Sequence, residues 1–393
     1  MKKYSAILKK NAMLIILVLV YIFFTVMTKG QMFQAMNFNA LITQNAYVYI
    51  LATGMLMCML TGGNIDLSCG SFVCLIGAVG GVLMVTKEMS PSVSIILMML
   101  VGIIYGCVLG YLIAYVDVPP WIATLAGYLA FRGWGTAILS ANSSTGSIAP
   151  IPDGFLKIFS GKIFGTEAKF GKYEFNKVCF AVAIIAAIIV VVINITNRAK
   201  RLKKGYETES IVSLVVKTVL AVAAIILFGY KLANAGGIPT SLVWVVVIVL
   251  IYEFITSKTV LGRYFYTIGG NKEATRLSGI DTKKIMFFAY LNMAILTVIS
   301  SYIVVARFQA ANSTAGTNYE MDAIAACVVG GVSAYGGEGS VFGMVIGATL
   351  IGVINLGMSL MGIDANWQKV VKGLVLLGAV VFDIVTKKDE AVR

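Results

Sequence analysis

The sequence predicts an all-α fold, a polytopic helical membrane protein built from two pseudo-symmetric halves that contain broken helices. Three observations carry this. The 393 residues are 59% hydrophobic and only 12% charged, with a mean hydropathy of +0.90, too little polar material to coat a soluble globule of this size. Apolar runs recur near 13–28, 44–60, 65–86, 92–116, 121–140, 178–197, 211–230, 241–256, 285–306, 321–335, 341–361 and 367–386. Most are close to the roughly 20 residues that a spanning helix needs, so about ten to twelve spans are expected. Glycine-rich polar stretches also interrupt the apolar text at matching places in the two halves, the mark of an internally repeated transporter with discontinuous helices. Backbone groups in lipid must be satisfied within each segment, and the alternating pattern of a barrel is missing, which leaves helices.

Taken in order, the first run follows Lys2, Lys3, Lys9 and Lys10, like a signal peptide. "VMTKGQMF" after it lacks a small-residue cleavage site, so a retained first span is expected. The net charge of +13 has its own geography. Four lysines lie in the first ten residues, five basic residues in "RAKRLKK" (198–204), six between 257 and 284, and three after Asp383. An even number of crossings separates each cluster from the next, so all are expected on the cytoplasmic side, with both termini. Membrane orientation thus explains the basicity without a nucleic-acid partner. The segment 141–177, placed outside, holds Lys157, Lys162, Lys169, Lys172 and Lys177, diluted by three acids. The chain reads as one transmembrane domain, with an N-terminal half 1–140, inserted loops and two extra spans in 141–240, and a C-terminal half 241–393.

Several chemistries are excluded or disfavoured. There is no histidine, which removes the commonest metal ligand, general base and proton shuttle. The six cysteines, Cys58, Cys69, Cys74, Cys107, Cys179 and Cys327, lack C-x-x-C spacing and read as small buried hydrophobes. No metal site, cofactor or catalytic residue is expected. No G-x-x-x-x-G-K-[ST] string occurs, so ATP is not bound by a Walker loop of this chain.

Three places invite a functional reading. The 28 residues Ser257–Lys284 form a long polar connection between apolar runs. Within it, Glu273, Ala274 and Leu277 can share one short helix, stopped at Gly279 by the preference of glycine for a helix C-terminus. Such a stub suits a groove on a soluble partner, although an ordinary polar loop has the same composition. Gly62, Gly63, Asn64, Asp66, Ser68 and Gly70 in one half match Gly330, Gly331, Ser333, Gly336, Gly337, Glu338, Gly339 and Ser340 in the other. Asp66 or Ser68 is expected to cap a half-helix. Asn64, Asp66, Ser68, Asp322 and Ser333 are the candidates for the pathway or half-helix region. Arg132, Glu253, Arg307, Asp322 and Asp364 lie in or near apolar runs, where an ionisable group faces protein or water or snorkels to a span end. Gly102, Gly106, Gly110 and Gly343, Gly347 repeat every four residues, a spacing for close helix contact.

The Glu-Ala-Thr of "GGNKEATRLSGI" (269–280), with a glycine four residues after Thr275, resembles the EAA-x-x-x-G signature of ABC importer permeases, with Thr275 where that signature prefers alanine. "GRYFYTIGGNKEATRLSGI", "GGNIDLSCGS" (62–71), "TLAGYLAFRG" (124–133) and the block 321–358 are similar to segments of the ribose, xylose and multiple-sugar permeases, which are related to branched-chain amino acid permeases. The length of 141–240 favours the xylose or multiple-sugar type. The resemblance implies a permease subunit in the bacterial inner membrane that moves a monosaccharide such as xylose or galactose. Its implied partners are a separate ABC ATPase, an extracytoplasmic sugar-binding protein, and a second copy of the permease. The ATPase-coupling loop then comprises Gly270, Asn271, Glu273, Ala274, Thr275, Leu277 and Gly279. A branched-chain amino acid permease and an ion-coupled secondary transporter, using Asp66, Glu253 and Asp322, are the alternatives.

Overall fold

The computed structural model describes residues 12–166, 168–169, 172–206 and 210–391, which leaves the four N-terminal lysines and Arg393 outside. Fifteen α-helices and six two-residue strands are formed among these residues. The first helices are α1 (Ala12–Met27), α2 (Ala35–Leu60), α3 (Cys69–Gly81), α4 (Pro91–Ala114) and α5 (Pro120–Asn142). The final turns of the α3 span, Val82–Thr86, widen to a π-helix. Strand β1 (Ser147–Ile148), helix α6 (Asp153–Ser160) and strands β2 (Lys162–Ile163), β3 (Ala168–Lys169) and β4 (Lys172–Tyr173) follow. Then come α7 (Lys177–Lys203), α8 (Ile211–Asn234), β5 (Ile238–Pro239), α9 (Thr240–Lys258), α10 (Val260–Gly270), α11 (Lys272–Leu277) and α12 (Thr282–Phe308). Strand β6 (Ala311–Asn312) and helices α13 (Tyr319–Val329), α14 (Val341–Leu360) and α15 (Ala365–Ala391) complete the chain.

Eight helices, among the described residues, are long and apolar enough to cross a membrane: α2, α3 with its π-turn, α4, α7, α8, α9, α12 and α14. Helix α1 is apolar but shorter, and α13, with 11 residues, is a half-length segment. The predicted run 321–335 therefore stops early, at Val329, because Gly331 adopts φ +84° and the chain stays non-helical as far as Ser340. The run beginning at 65 likewise becomes helical only at Cys69. The 28-residue connection expected at 257–284 contains more structure than a loop, since α10 and α11 fill most of it.

Two compact units are present. The larger comprises the segment up to Met32, Leu41–Ser160, and Ser241 onward. Its centre is α2 against α12, with 83% and 72% of their apolar windows buried. The predicted glycine ladder fits here. A β-carbon on Gly102 would lie 2.2 Å from Val298, and one on Gly106 2.9 Å from Ala294, so these glycines let α4 lie flat on α12. Gly343 and Gly347 do the same for α14 against α13, where β-carbons would meet the Gly330 and Ala326 carbonyls at 2.3 and 2.0 Å.

The smaller unit comprises Phe33–Ala40 and Gly161–Thr240. In it α7 and α8 form an apolar hairpin whose windows are only 17% and 0% buried. Asn176 caps α7 by accepting the Cys179 N–H at 2.9 Å. Paired strands β2 and β5 close its end.

Candidate functional site

The site begins with α11, which is a complete helical stub in only six residues. Asn271 caps its start, its side-chain oxygen accepting the Ala274 N–H at 2.9 Å. Its end is a Schellman motif: Gly279 at φ +84° donates to the Arg276 carbonyl at 3.0 Å, and Ile280 donates to the Thr275 carbonyl at 3.4 Å. Asp281 then caps α12 at the Lys284 N–H. Both ends carry local caps, which a helix this short needs in addition to its packing against α10.

Thr275 is the one buried residue of the stub. Its hydroxyl donates to the Thr267 and Asn271 carbonyls at 2.9 and 2.8 Å, which ties the stub to α10. The threonine at this position, a departure from the alanine of the signature, thus acts as an anchor. The remaining candidates point outward. Leu277 is 75% exposed, and Glu273 and Arg276 pair at 2.5 Å with both side chains more than half exposed. Arg276 holds the Glu273 carboxyl below its ordinary range, chiefly through that hydrogen bond. Gly270 and Gly279 would each accept a β-carbon with nothing within 4 Å. Leu277 is thus the exposed apolar side chain of the stub, set beside the Glu273–Arg276 pair.

Helix α10 connects this stub to both glycine-rich breaks. A β-carbon on Gly269 would lie 2.0 Å from the Leu60 carbonyl and 2.2 Å from the Gly337 nitrogen. The Gly337 N–H donates to Leu60 at 3.1 Å, and Gly63 and Gly336 approach Ala334 and Gly62 at distances no side chain tolerates. Tyr266 reaches the Gly339 carbonyl at 3.0 Å. The breaks predicted in the two halves therefore meet backbone to backbone, and the helix that carries the stub rests on their junction.

The polar candidates in these breaks are engaged locally. Asn64 donates to the Thr61 carbonyl and hydroxyl, both at 3.1 Å. Asp66, 1% exposed, accepts the Ser68 N–H at 2.8 Å and its hydroxyl at 2.5 Å. Ser68 stands at the N-cap position of α3 without a side-chain cap bond, and Asp66 instead holds Ser68 in place from two residues before it. The Ser68 hydroxyl lies 2.6 Å from that of Tyr105 on α4. Ser333, also buried, accepts the Tyr335 N–H at 3.2 Å.

Asp322 is placed differently. It is 3% exposed and pairs with Lys372 of α15 at 2.8 Å, while its second oxygen accepts the Tyr47 hydroxyl at 2.7 Å. The Tyr47 ring stacks on Tyr319, centroids 3.7 Å apart. Arg132 donates to the Ser313 and Ala315 carbonyls and so fixes the turn before α13, and Arg307 donates to the Gln44 carbonyl. Glu253 and Asp364 are exposed. Sequence reading missed Glu320, which is 2% exposed and has one carboxyl oxygen without a hydrogen-bond partner. It also missed Tyr47, Tyr105 and Lys372. The two lysines inside the run 367–386, Lys369 and Lys372, were the available signal for the last. Among the described residues no three His, Cys, Asp or Glu side chains group as a metal site.

Comparison with known proteins agrees with this architecture. Residues 37–380 match the family model described as branched-chain amino acid transport system / permease component. The xylose transport system permease protein of Haemophilus influenzae is 35% identical over 391 residues, covering 98% of each chain. The xylose permease of Escherichia coli K12 is 32% identical over 96% of this chain and 92% of its own. The ribose import permease of the same organism is 31% identical, covering 96% and 94%. No solved structure matches. With eight candidate spans and a family match over most of its length, the chain is a multi-pass membrane protein and belongs to the branched-chain amino acid transport system / permease component family.

Proposed function

We propose that the chain is the membrane-spanning subunit of an ATP-driven ABC importer for a monosaccharide, of the pentose type handled by its xylose and ribose relatives. An extracytoplasmic binding protein delivers the sugar. A separate ATPase binds the α11 stub, and two copies of this chain enclose the path in the bacterial inner membrane, with the termini in the cytoplasm. The observation that carries the reading is the stub itself. It is capped at both ends, anchored by Thr275, shows Leu277 outward, and is mounted through α10 on the junction of the two glycine breaks. A push on α11 is thereby passed to the starts of α3 and α14, the elements that must shift between outward-open and inward-open states. Gly270, Asn271, Glu273, Ala274, Thr275, Leu277 and Gly279 form the docking loop. Asn64, Asp66, Ser68 and Ser333 shape the breaks on which it acts.

The ion-coupled reading is weakened because Glu253 is exposed, Asp66 is bonded to Ser68 and Asp322 is paired. The amino acid reading follows the family description but not the sugar-permease relatives. The test is accumulation of labelled xylose, ribose and leucine by proteoliposomes holding the permease with its ATPase and binding protein. Sugar uptake that requires ATP is expected. Leucine uptake alone, or sugar uptake by the permease without ATP, sinks the proposal.

A further inference from the structure

A cavity of about 230 Å³ opens between α13 and α15, walled by Asn318, Met321, Asp322, Lys369, Lys372 and Leu376. A carboxylate and an ammonium within a membrane-spanning bundle are costly and face protein or a watered space rather than lipid. Here they form the cavity wall, and Lys369 and Met321 beside them are exposed. The exposed face around them is mixed, with Val370 and Leu374 beside Lys369, whereas Asp322 and Lys372 turn inward and line the cavity. The cavity is smaller than the roughly 300–1,000 Å³ of pockets for drug-sized ligands, and suits a single sugar ring.

Resting on the sugar-import reading, we propose that this cavity is a monosaccharide subsite on the wall of the translocation path, with Asn318, Asp322, Lys369 and Lys372 bonding the hydroxyls. The chemistry favours a neutral polyol. The Asp322–Lys372 pair is already neutral at 2.8 Å, and Tyr47 occupies the second carboxylate oxygen. A hydroxyl can donate to Asp322 and accept from Lys372 while the pair stays closed. A zwitterionic amino acid finds Lys369 for its carboxylate but no free carboxylate on the cavity wall for its ammonium, which has to take Asp322 from Lys372. Met321 and Leu376 offer apolar surface to the C–H faces of the ring.

The test keeps the ion pair intact. Asn318→Cys and Lys369→Cys are made singly in the full chain, in which every native cysteine but Cys107 is buried, and the unsubstituted chain supplies the background. Both are labelled with a charged, water-soluble thiol reagent in proteoliposomes with the ATPase, without nucleotide and in the vanadate-trapped state. Both positions should label in at least one state, and xylose or ribose titrated to about ten times its dissociation constant should slow labelling roughly tenfold, with leucine ineffective. Labelling indifferent to sugar, labelling in neither state, or protection by leucine alone overturns the subsite. The unsubstituted transporter separates the two claims. If it accumulates sugar while protection is missing, only the subsite falls; if it accumulates none, the import reading falls with it.

Discussion

Gly269 and Gly270 are neighbours in the chain and opposites in packing. A β-carbon on Gly269 would sit 2.0 Å from the Leu60 carbonyl, whereas one on Gly270 would meet nothing within 4 Å. The same contrast separates the junction of the two breaks, where Gly63, Gly336 and Gly337 touch other backbone, from the stub, where Gly279 is needed for its φ of +84° alone. Glycine at the junction lets two halves of a membrane protein meet. Glycine in the stub ends a helix and leaves its surface free.

Substitutions to alanine should grade along that contrast. Gly63→Ala combines a left-handed backbone, φ +73°, with a contact of 2.0 Å to the Ala334 carbonyl, and should cost about 3 kcal/mol or more, read as loss of monodisperse protein in detergent. Gly269→Ala has the clash without the φ penalty and should lower the unfolding temperature by an amount corresponding to about 2–3 kcal/mol. Intact stability in either variant breaks the junction. Gly279→Ala should cost about 1 kcal/mol, seen as faster amide exchange confined to 272–281. Gly270→Ala should change stability by less than about 0.5 kcal/mol; a larger loss means that Gly270 belongs with the junction after all.

Much of this was legible in the text. Apolar runs near spanning length gave the helices, because hydrogen-bonding needs in lipid leave few alternatives. The end of the stub was readable from Gly279, since a local motif fixes it. Its anchor was not: Thr275 looked like a blemish in a signature until its hydroxyl met the Thr267 carbonyl. Helix α10 was hidden inside an expected loop, because 11 residues are too short to announce a span. The union of Tyr47, Asp322 and Lys372 joins three helices far apart in sequence. Asp322 could be noticed as an ionisable group in an apolar run, but its partners depend on how helices pack, which periodicity does not encode.

The most direct measurement is affinity purification of the detergent-solubilised permease co-produced with its ATPase, for the intact chain and for Leu277→Asp. Leu277 is 75% exposed and touches no core, so the variant should fold and elute as the intact chain does. The account predicts that the ATPase accompanies the intact chain and is lost, or weakened at least about tenfold, from Leu277→Asp. Equal recovery of the ATPase with both chains contradicts the assignment of α11 as its docking site.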